Sequence, residues 1–203
     1  NFCIKKNIKK VIYASSSSVY SDKKKMGFCE KDTVLNPKSE YGKSKLLNEK
    51  YASHIAKLHN FSMVGLRFFS VYGPYGRPDM AYYSFTKAIK ENRTISLNNE
   101  GNMYRDMTYI DDIINGIIGA IDYVFKSQNI GKNEIFNLGN NNPIQTSYLL
   151  HTIEDYLGKT ALLKYSKTRN EMLFTHADIM KSKNLLGYNP QINFIEGIRN
   201  FLE

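Results

Sequence analysis

Short apolar runs alternate with amphipathic helical segments along most of the 203-residue chain. Six runs are short and rich in β-branched or other apolar residues, which predicts buried strands: "KKVIYAS", "FSMVGLRFFSVYG", "TISL", "MTYI", "NEIFNLG" and "ALLKYS". Most of the segments between them are expected to contain helices, whereas "TISL" and "MTYI" are separated by a turn at "NNEGN". Strands that alternate with helices in this way predict an α/β fold with parallel pairing.

The composition is that of a folded chain, because 42% of the residues are hydrophobic and 23% are charged. The net charge is +9, but no recognised motif interleaves the lysines, so we expect no nucleic-acid partner. No apolar run reaches the roughly 18 residues of a membrane span, so we expect no membrane insertion. Cys3 and Cys29 form no CxxC, which favours buried, reduced thiols and a cytoplasmic location. The four histidines are scattered, and we expect no metal site.

A polar loop and a long helix are expected after the first strand. Residues 21 to 36 are polar and broken, and Asn36-Pro37 is typical of a helix N-cap followed by proline at the first helical position. The helix itself is indicated by apolar residues at spacings of four, four and three. These residues are Leu47, Tyr51, Ile55 and Leu58.

Tyr41 and Lys45 form a YxxxK pair at the start of that helix, downstream of a strand that ends in four serines. The same spacing also occurs at Tyr20/Lys24 and Tyr83/Lys87. Only Tyr41 and Lys45 combine a strong helix with an upstream serine tip. Positions i and i+4 share a helix face, so the ammonium can lie beside the phenol and favour the phenolate. The context predicts a tyrosine base helped by lysine and a serine hydroxyl, against the alternative of an ordinary solvated pair.

Five ordered motifs resemble the extended short-chain dehydrogenases/reductases, and more narrowly the nucleotide-sugar epimerases and dehydratases: "VIYASSSSVY", "YGKSK", "LRFFSVYGPYGRPD", "YRDMTYIDDI" and "FNLGN". The resemblance implies a Rossmann-type sheet that binds NAD. It implies that residues 1–72 are the C-terminal portion of that domain. Residues 73–203 would mainly bind the nucleotide sugar, with some segments returning to the Rossmann sheet. It also implies a homodimer through the Tyr41 helix in the full-length protein.

The resemblance assigns roles to individual residues. Ser16, four positions before the tyrosine of "VY", becomes the catalytic hydroxyl, with Tyr41 as base and Lys45 as its partner. The implied cofactor-binding residues are Ser15, Tyr41, Lys45, Phe68 and Phe69. The implied substrate-binding residues are Ser17, Ser18, Ser70, Arg77 and Arg105. Core packing is the alternative for either phenylalanine. Arg77 would otherwise fix its own loop, and Arg105 would pair with Asp106.

Ser17 and Ser18 separate the subfamilies. Sugar 4,6-dehydratases carry an Asp-Glu pair after the catalytic hydroxyl, and the similar uronate decarboxylases carry a glutamate there. Serine is no general acid or base at neutral pH, so elimination and decarboxylation are disfavoured and epimerisation remains. "SVYGPYGRPDMA" most resembles the UDP-glucuronate 4-epimerases of polysaccharide precursor synthesis, in which a small hydroxyl at Ser70 leaves room for a carboxylate. The alternatives are a UDP-glucose/galactose 4-epimerase and a non-catalytic module that binds a nucleotide or a partner chain.

Several positions depart from the family's pattern. Ser21 replaces the glycine that usually completes "VYG", and Arg169 is displaced by one position from a diphosphate-binding arginine, so we give it no role. Asp111 and Asp112 open a predicted helix, where N-capping and the helix dipole explain them better than a metal does. No GxGxxG occurs in the 203 residues, so we expect a fragment of a longer protein that lacks most of the cofactor site.

Overall fold

The computed structural model describes residues 2–21, 27–126, 128–167 and 172–203. The strands are β1 (Lys10–Ser16), β2 (Ser62–Phe68), β3 (Ser70–Tyr72), β4 (Thr94–Asn98), β5 (Tyr104–Tyr109), β6 (Lys132–Leu138), β7 (Pro143–Gln145) and β8 (Leu162–Ser166). The helices are α1 (Phe2–Lys5), α2 (Glu40–His59), α3 (Ala81–Lys90), α4 (Ile110–Lys126), α5 (Thr146–Leu157), α6 (Met180–Leu186) and α7 (Phe194–Leu202). The expected α/β class is confirmed. Within the described ranges, no helix combines the length and the apolar character needed to cross a bilayer.

The strands form three small sheets. The order β1-β2-β6 is wholly parallel, so the carboxyl ends of these strands meet at one edge. A second sheet has the order β3-β5-β7, with β7 antiparallel, and β4 pairs with β8. Two separate apolar clusters form the core, one around the first sheet and one around β3, β5 and helices α3, α5 and α7.

The chain changes sheets at Phe69. The run "FSMVGLRFFSVYG" predicts one strand, and this prediction is wrong: β2 ends at Phe68, and β3 starts at Ser70 in the other sheet, beside β5. The Phe69 amide donates a 3.0 Å hydrogen bond to the Leu138 carbonyl at the end of β6. A continuous apolar run hides this break because both halves are buried, each in its own core.

Helix α2 begins three residues later than the expected proline start. Its N-cap is Ser39, whose hydroxyl accepts the Gly42 N–H at 3.0 Å, so Asn36 is not the cap. The backbone of Ser39 is extended, whereas the helix starts at Glu40. Serine at this position satisfies one of the unpaired donors of the first turn.

The apolar stripe of α2 faces outward. Leu47, Tyr51 and Leu58, whose spacing predicts one stripe along the helix, are 65%, 60% and 62% exposed. The buried residues of the helix are small or paired instead: Gly42, Glu49, Ala52 and Ala56. Small residues let the helix lie close to the sheet, and the bulky stripe is left on the surface.

Further differences concern boundaries and burial. The predicted strand "MTYI" extends back to Tyr104, so Arg105 and Asp106 are part of β5. Strand β7 was not predicted. Cys3 and Cys29 are half-buried free thiols rather than buried ones. Lys24 and Arg169 lie outside the described residues.

Asp112 ties the C-terminal segment to α4. It is 2% exposed, and its two carboxylate oxygens accept the backbone N–H groups of Gln191 (2.9 Å) and Ile192 (3.0 Å). N-capping therefore does not explain this residue, because its acceptors serve a segment about eighty residues away. Asp111, its neighbour, is exposed.

We expect Asp112→Ala to lower the free energy of unfolding by roughly 2 kcal/mol or more, because two backbone N–H groups lose their acceptors. Asp111→Ala is the matched control and should cost less than about 1 kcal/mol, as an exposed first-turn carboxylate does. Urea unfolding of both variants measures the difference. Equal losses at the two positions would contradict the tie described for Asp112.

Candidate active site

The four serines form a capped turn at the end of β1. Ser16 closes the strand, and a single 3-10 turn covers Ser17–Val19. The Ser16 hydroxyl accepts the Ser18 N–H and donates to the Ser18 hydroxyl, both at 3.1 Å. Ser16 is 7% exposed, and Ser17 and Ser18 are half-buried. The turn thus holds several hydroxyl groups in fixed positions at the carboxyl edge of the parallel sheet.

Tyr41 and Lys45 lie in the first turns of α2, as the spacing predicts. The Lys45 ammonium donates a 3.1 Å hydrogen bond to the Ala14 carbonyl of β1 and lies 5.6 Å from the centroid of the Tyr41 ring. Tyr41 is 52% exposed. The strand therefore holds the lysine in place by a hydrogen bond, and the ammonium group lies near the Tyr41 ring.

A cleft of about 500 Å³ opens where the chain leaves the first sheet for the second. Its volume is in the range of small-molecule sites, and it lies at the carboxyl ends of parallel strands, where α/β folds bind ligands. The predicted site residues that line it are Ser15, Ser16, Ser17, Ser18, Tyr41, Phe68, Phe69, Ser70 and Arg77. Among the described residues, the lining includes no aspartate and no glutamate.

A second cavity of about 390 Å³ adjoins the cleft. The two share Ser70, Met80 and Tyr82 as lining residues, and Arg105 lines only the second. The Arg105 guanidinium donates to the Tyr104 carbonyl at 3.0 Å. Arg105 and the serine turn thus lie in different cavities, which adjoin at the shared lining residues.

Asp106 is fully buried beside Arg105. It accepts backbone N–H groups from Asn140, Asn141 and Ala177 at 2.6 to 3.1 Å. Burial raises the pKa of its carboxyl to about 6 although these hydrogen bonds act in the opposite direction. The residue joins β5 to the loop after β6 and to the segment before α6.

Arg77 forms a bidentate pair with Asp79 of its own loop. The guanidinium contacts the two carboxylate oxygens at 3.0 and 2.5 Å, and it lowers the pKa of the Asp79 carboxyl. Both side chains are more than half exposed. An exposed pair of this kind is weak and can exchange its partner for a ligand.

Two predicted cofactor residues have other contacts. The Ser15 hydroxyl, which is 2% exposed, donates to Glu49 at 2.5 Å. Phe69 packs in the core, with its ring centroid 6.3 Å from those of Tyr20 and Phe28. Phe68 is half-buried at the cleft. Core packing thus accounts for Phe69, and a hydrogen bond to the helix accounts for the side chain of Ser15.

Four tyrosines line the cleft, and their surroundings differ. Burial raises the pKa of Tyr72 and of Tyr82, which favours the protonated phenol at neutral pH. Tyr75 is fully exposed at the rim. Tyr41 has an ammonium group near its ring. It is therefore the cleft residue best placed to accept a proton.

Gly42 is a site residue that sequence reasoning missed. A Cβ at this position would overlap the Ser18 carbonyl oxygen and lie 2.9 Å from the Pro37 Cβ. The glycine of "YGKSK" lets the Tyr41 helix pack directly on the serine turn. Its place beside the YxxxK tyrosine was a signal in the sequence, because glycine in the first turn of a helix is otherwise unfavourable.

A model of the NAD dependent epimerase/dehydratase family matches residues 1–139, more than half of the chain. The chain belongs to this family. Its relatives include UDP-glucuronate 4-epimerase 4 of Arabidopsis thaliana, 40% identical over 205 residues, which cover 95% of this chain and 47% of the plant protein. An uncharacterized protein of Methanocaldococcus jannaschii is 46% identical over 196 residues, which cover 96% of this chain and 58% of the archaeal one.

A solved structure confirms the fold. The UDP-glucuronic acid 4-epimerase from Bacillus cereus, in complex with UDP-glucuronic acid and NAD, superposes with a TM-score of 0.87 at 32% identity. The match covers 98% of this chain and 62% of the Bacillus chain. The chain thus spans about half to two thirds of the length of the relatives it matches. The predicted family and its NAD dependence are confirmed at the level of the family.

We expect Gly42→Ala to lower the free energy of unfolding by about 1–3 kcal/mol, because the new methyl group meets fixed backbone. Helix propensity by itself predicts the opposite sign, since alanine is the better helix former by about 1 kcal/mol. Ser44→Ala is the control, because that exposed hydroxyl bonds to the carbonyl of Tyr41 in its own turn. A Gly42→Ala protein as stable as the wild type in urea would show that the helix and the serine turn are not in close contact.

Proposed function

We propose that this chain carries the catalytic half of a nucleotide-sugar 4-epimerase that interconverts UDP-glucuronate and UDP-galacturonate. The lining of the cleft supports this most directly. Its described residues offer hydroxyl groups and one phenol next to an ammonium, but no carboxylate. Loss of water or of carbon dioxide from the sugar needs a further acid or base, whereas transient oxidation of a carbinol needs only a base and a hydride acceptor.

The residues present fit the nicotinamide end of NAD. The cleft lies at the carboxyl ends of β1 and β2, half-buried Phe68 lines it, and Lys45 is fixed to β1 beside it. The 203 residues include no glycine-rich GxGxxG turn for the pyrophosphate. When bound, NAD supplies the hydride acceptor for the sugar carbon.

The chain's own residues handle the proton. The Tyr41 phenol oxygen accepts the proton of the sugar C4 hydroxyl, and the Lys45 ammonium, 5.6 Å from the centroid of the Tyr41 ring, is the positive charge nearest to this base in the proposed mechanism. Ser16 hydrogen bonds the same sugar oxygen and orients it. After the 4-keto sugar has rotated in the cleft, return of the hydride to the opposite face of C4 and of the proton from Tyr41 to the C4 oxygen would give the alcohol with inverted configuration.

The two adjoining cavities suit the two parts of the substrate. The sugar would lie in the cleft, and the nucleotide diphosphate would extend past Ser70 towards Arg105 in the second cavity. The sugar carboxylate would meet the hydroxyls of Ser17, Ser18 and Ser70. It could also replace Asp79 as the partner of Arg77, because a guanidinium binds either carboxylate with two hydrogen bonds.

Separate incubation of the complete protein, with NAD, in UDP-glucuronate and in UDP-glucose tests the choice of sugar. We expect the epimer of UDP-glucuronate to form, and little product from the neutral sugar, because the hydroxyls and Arg77 have no carboxylate to bind there. Separation of the epimers by chromatography gives the result. Turnover of UDP-glucose only would favour the UDP-glucose/galactose 4-epimerase instead.

Tyr41→Phe should lower kcat by about 10²–10⁴-fold, because the phenyl ring keeps its packing but can neither accept nor return a proton. Ser17→Ala should cost much less. Tyr83→Phe is the matched control, since Tyr83 also heads a YxxxK sequence but packs against Phe201 in the other core. Similar losses at Tyr41 and Tyr83 would remove the basis for the assigned base.

The exposed stripe of α2 also suits a homodimer, in which two copies of the helix would pack together. Leu47→Glu with Leu58→Glu should convert a dimer of the complete protein to a monomer, because each copy would bury unpaired carboxylates. Leu185→Glu is the control, at a leucine that is 50% exposed on α6. Light scattering after gel filtration measures the mass. A mass that is the same in all three proteins would exclude this interface.

A further inference from the structure

A buried ion pair lies between α2, the helix that carries Tyr41 and Lys45, and strand β2. Glu49 of α2 and Arg67 of β2 are 5% and 3% exposed. The guanidinium donates from Nε to Oε1 at 2.8 Å and from Nη2 to Oε2 at 2.7 Å. Two parallel hydrogen bonds of this kind fix direction as well as distance. The pair thus restrains both the position and the rotation of α2 over the sheet.

The same carboxylate is bonded from the neighbouring strand. Ser15 of β1 and Arg67 of β2 are opposite each other in the parallel register, and the Ser15 hydroxyl donates to Glu49 Oε1 at 2.5 Å. Glu49 is therefore held by two adjacent strands at once. Ser15 directly precedes Ser16, so the contact acts one residue from the predicted catalytic hydroxyl.

Arg67 extends the contact to the far side of the serine turn. Its guanidinium carbon lies 4.6 Å from the centroid of the Tyr20 ring, and Tyr20 directly follows the 3-10 turn. The Tyr20 hydroxyl, itself buried, donates to Asn137 of β6 at 2.7 Å. The residues on both sides of the turn thus contact the ion pair: Ser15 donates a hydrogen bond to Glu49, and Tyr20 makes a cation–π contact with Arg67.

Glu49 also lies on the same face of α2 as Tyr41 and Lys45. Tyr41, Lys45 and Glu49 are four residues apart in succession, so they follow one another along one side of α2. Lys45 bonds to the Ala14 carbonyl, and Glu49 to the next residue of β1. Two successive turns of the helix are therefore attached to the end of the strand that carries Ser16.

Stability does not explain the pair. Buried ion pairs can often be replaced by apolar residues of similar volume without loss of stability, because removing two charges from water costs so much. Here Arg67 Nη1 is buried and has no hydrogen-bond partner among the described residues, which adds to the cost. An arrangement that is costly for folding but exact in geometry, next to a reactive site, indicates a role in positioning.

We propose that Glu49 and Arg67 are positioning residues that hold the Tyr41 helix in register with the serine turn, so that phenol and hydroxyl meet the same sugar oxygen. The proposal rests on the proposed epimerase function for its catalytic consequence. The attachment of α2 itself is independent of which sugar reacts.

The main test replaces the whole pair in the complete protein, by Glu49→Leu with Arg67→Met, which leaves no unpaired charge. We expect kcat to fall at least about tenfold, since small misplacements of catalytic groups are costly, while KM for the sugar nucleotide stays within about twofold. Arg67→Lys, made with Glu49 in place, should have a higher kcat than the double variant, because lysine keeps the positive charge. Its kcat should still be below that of the wild type, because lysine cannot form the two parallel hydrogen bonds. The matched control is Glu134→Leu with Lys181→Met, which removes an ion pair between β6 and α6. This control should keep kcat.

Ser15→Ala is the milder variant if the double variant does not fold. A positioning role predicts a lower kcat with unchanged NAD affinity, whereas direct cofactor binding by the Ser15 hydroxyl predicts weaker NAD binding and overturns that part of the proposal. A double variant that keeps kcat within twofold of the wild type, or loses no more than the control, overturns the proposal as a whole.

Amide hydrogen exchange over residues 40–49 separates this proposal from the proposed function. If the wild type epimerises neither sugar, the proposed function fails, but the double variant should still exchange faster in this segment than the control at similar global stability. Equal exchange rates in the two variants would show that the pair does not hold the helix.

Discussion

The close contact between α2 and the carboxyl end of β1 is the constraint on which the rest of the site depends. Gly42 has no side chain where one would meet the Ser18 carbonyl, so the helix can lie directly on the serine turn. One turn later Lys45 bonds to β1, and one turn after that Glu49 bonds to Ser15 and Arg67. All three contacts attach α2 to the same end of the sheet, close to the serine turn.

The change of sheets at Phe69 supplies the second requirement, a cavity in front of those groups. Because β3 leaves the first sheet and pairs with β5, the two apolar cores diverge, and the cleft opens between the strand ends and the loop that follows β3. Phe69, between β2 and β3, packs against Tyr20 and Phe28 in the core of the first sheet. The serine turn and Tyr41 thus face a space large enough for a sugar, bounded on its far side by Ser70 and Arg77.

Much of this arrangement could be predicted from the sequence, because parallel strands bring their carboxyl ends together. Residues at those ends, such as Ser16 of β1 and Phe68 of β2, therefore line one cleft although they are far apart in the chain. The burial of a patterned helix face could not be predicted from the sequence. Periodicity shows that Leu47 and Leu58 share a face, but not whether that face meets the core or the surface. In the same way, the sequence places Arg67 in a buried strand but does not identify Glu49 as its partner, since their pairing depends on how α2 packs on β2.

The proposed function requires that a sugar carbon in the cleft is oxidised transiently and that the hydride returns to the same carbon. The most direct measurement follows UDP-glucuronate labelled with deuterium at C4 during turnover by the complete protein with NAD. Deuterium should stay at C4 in both epimers, since the hydride does not exchange with water during its transfer. Loss of the label to solvent, or a product that lacks water or carbon dioxide, would contradict it.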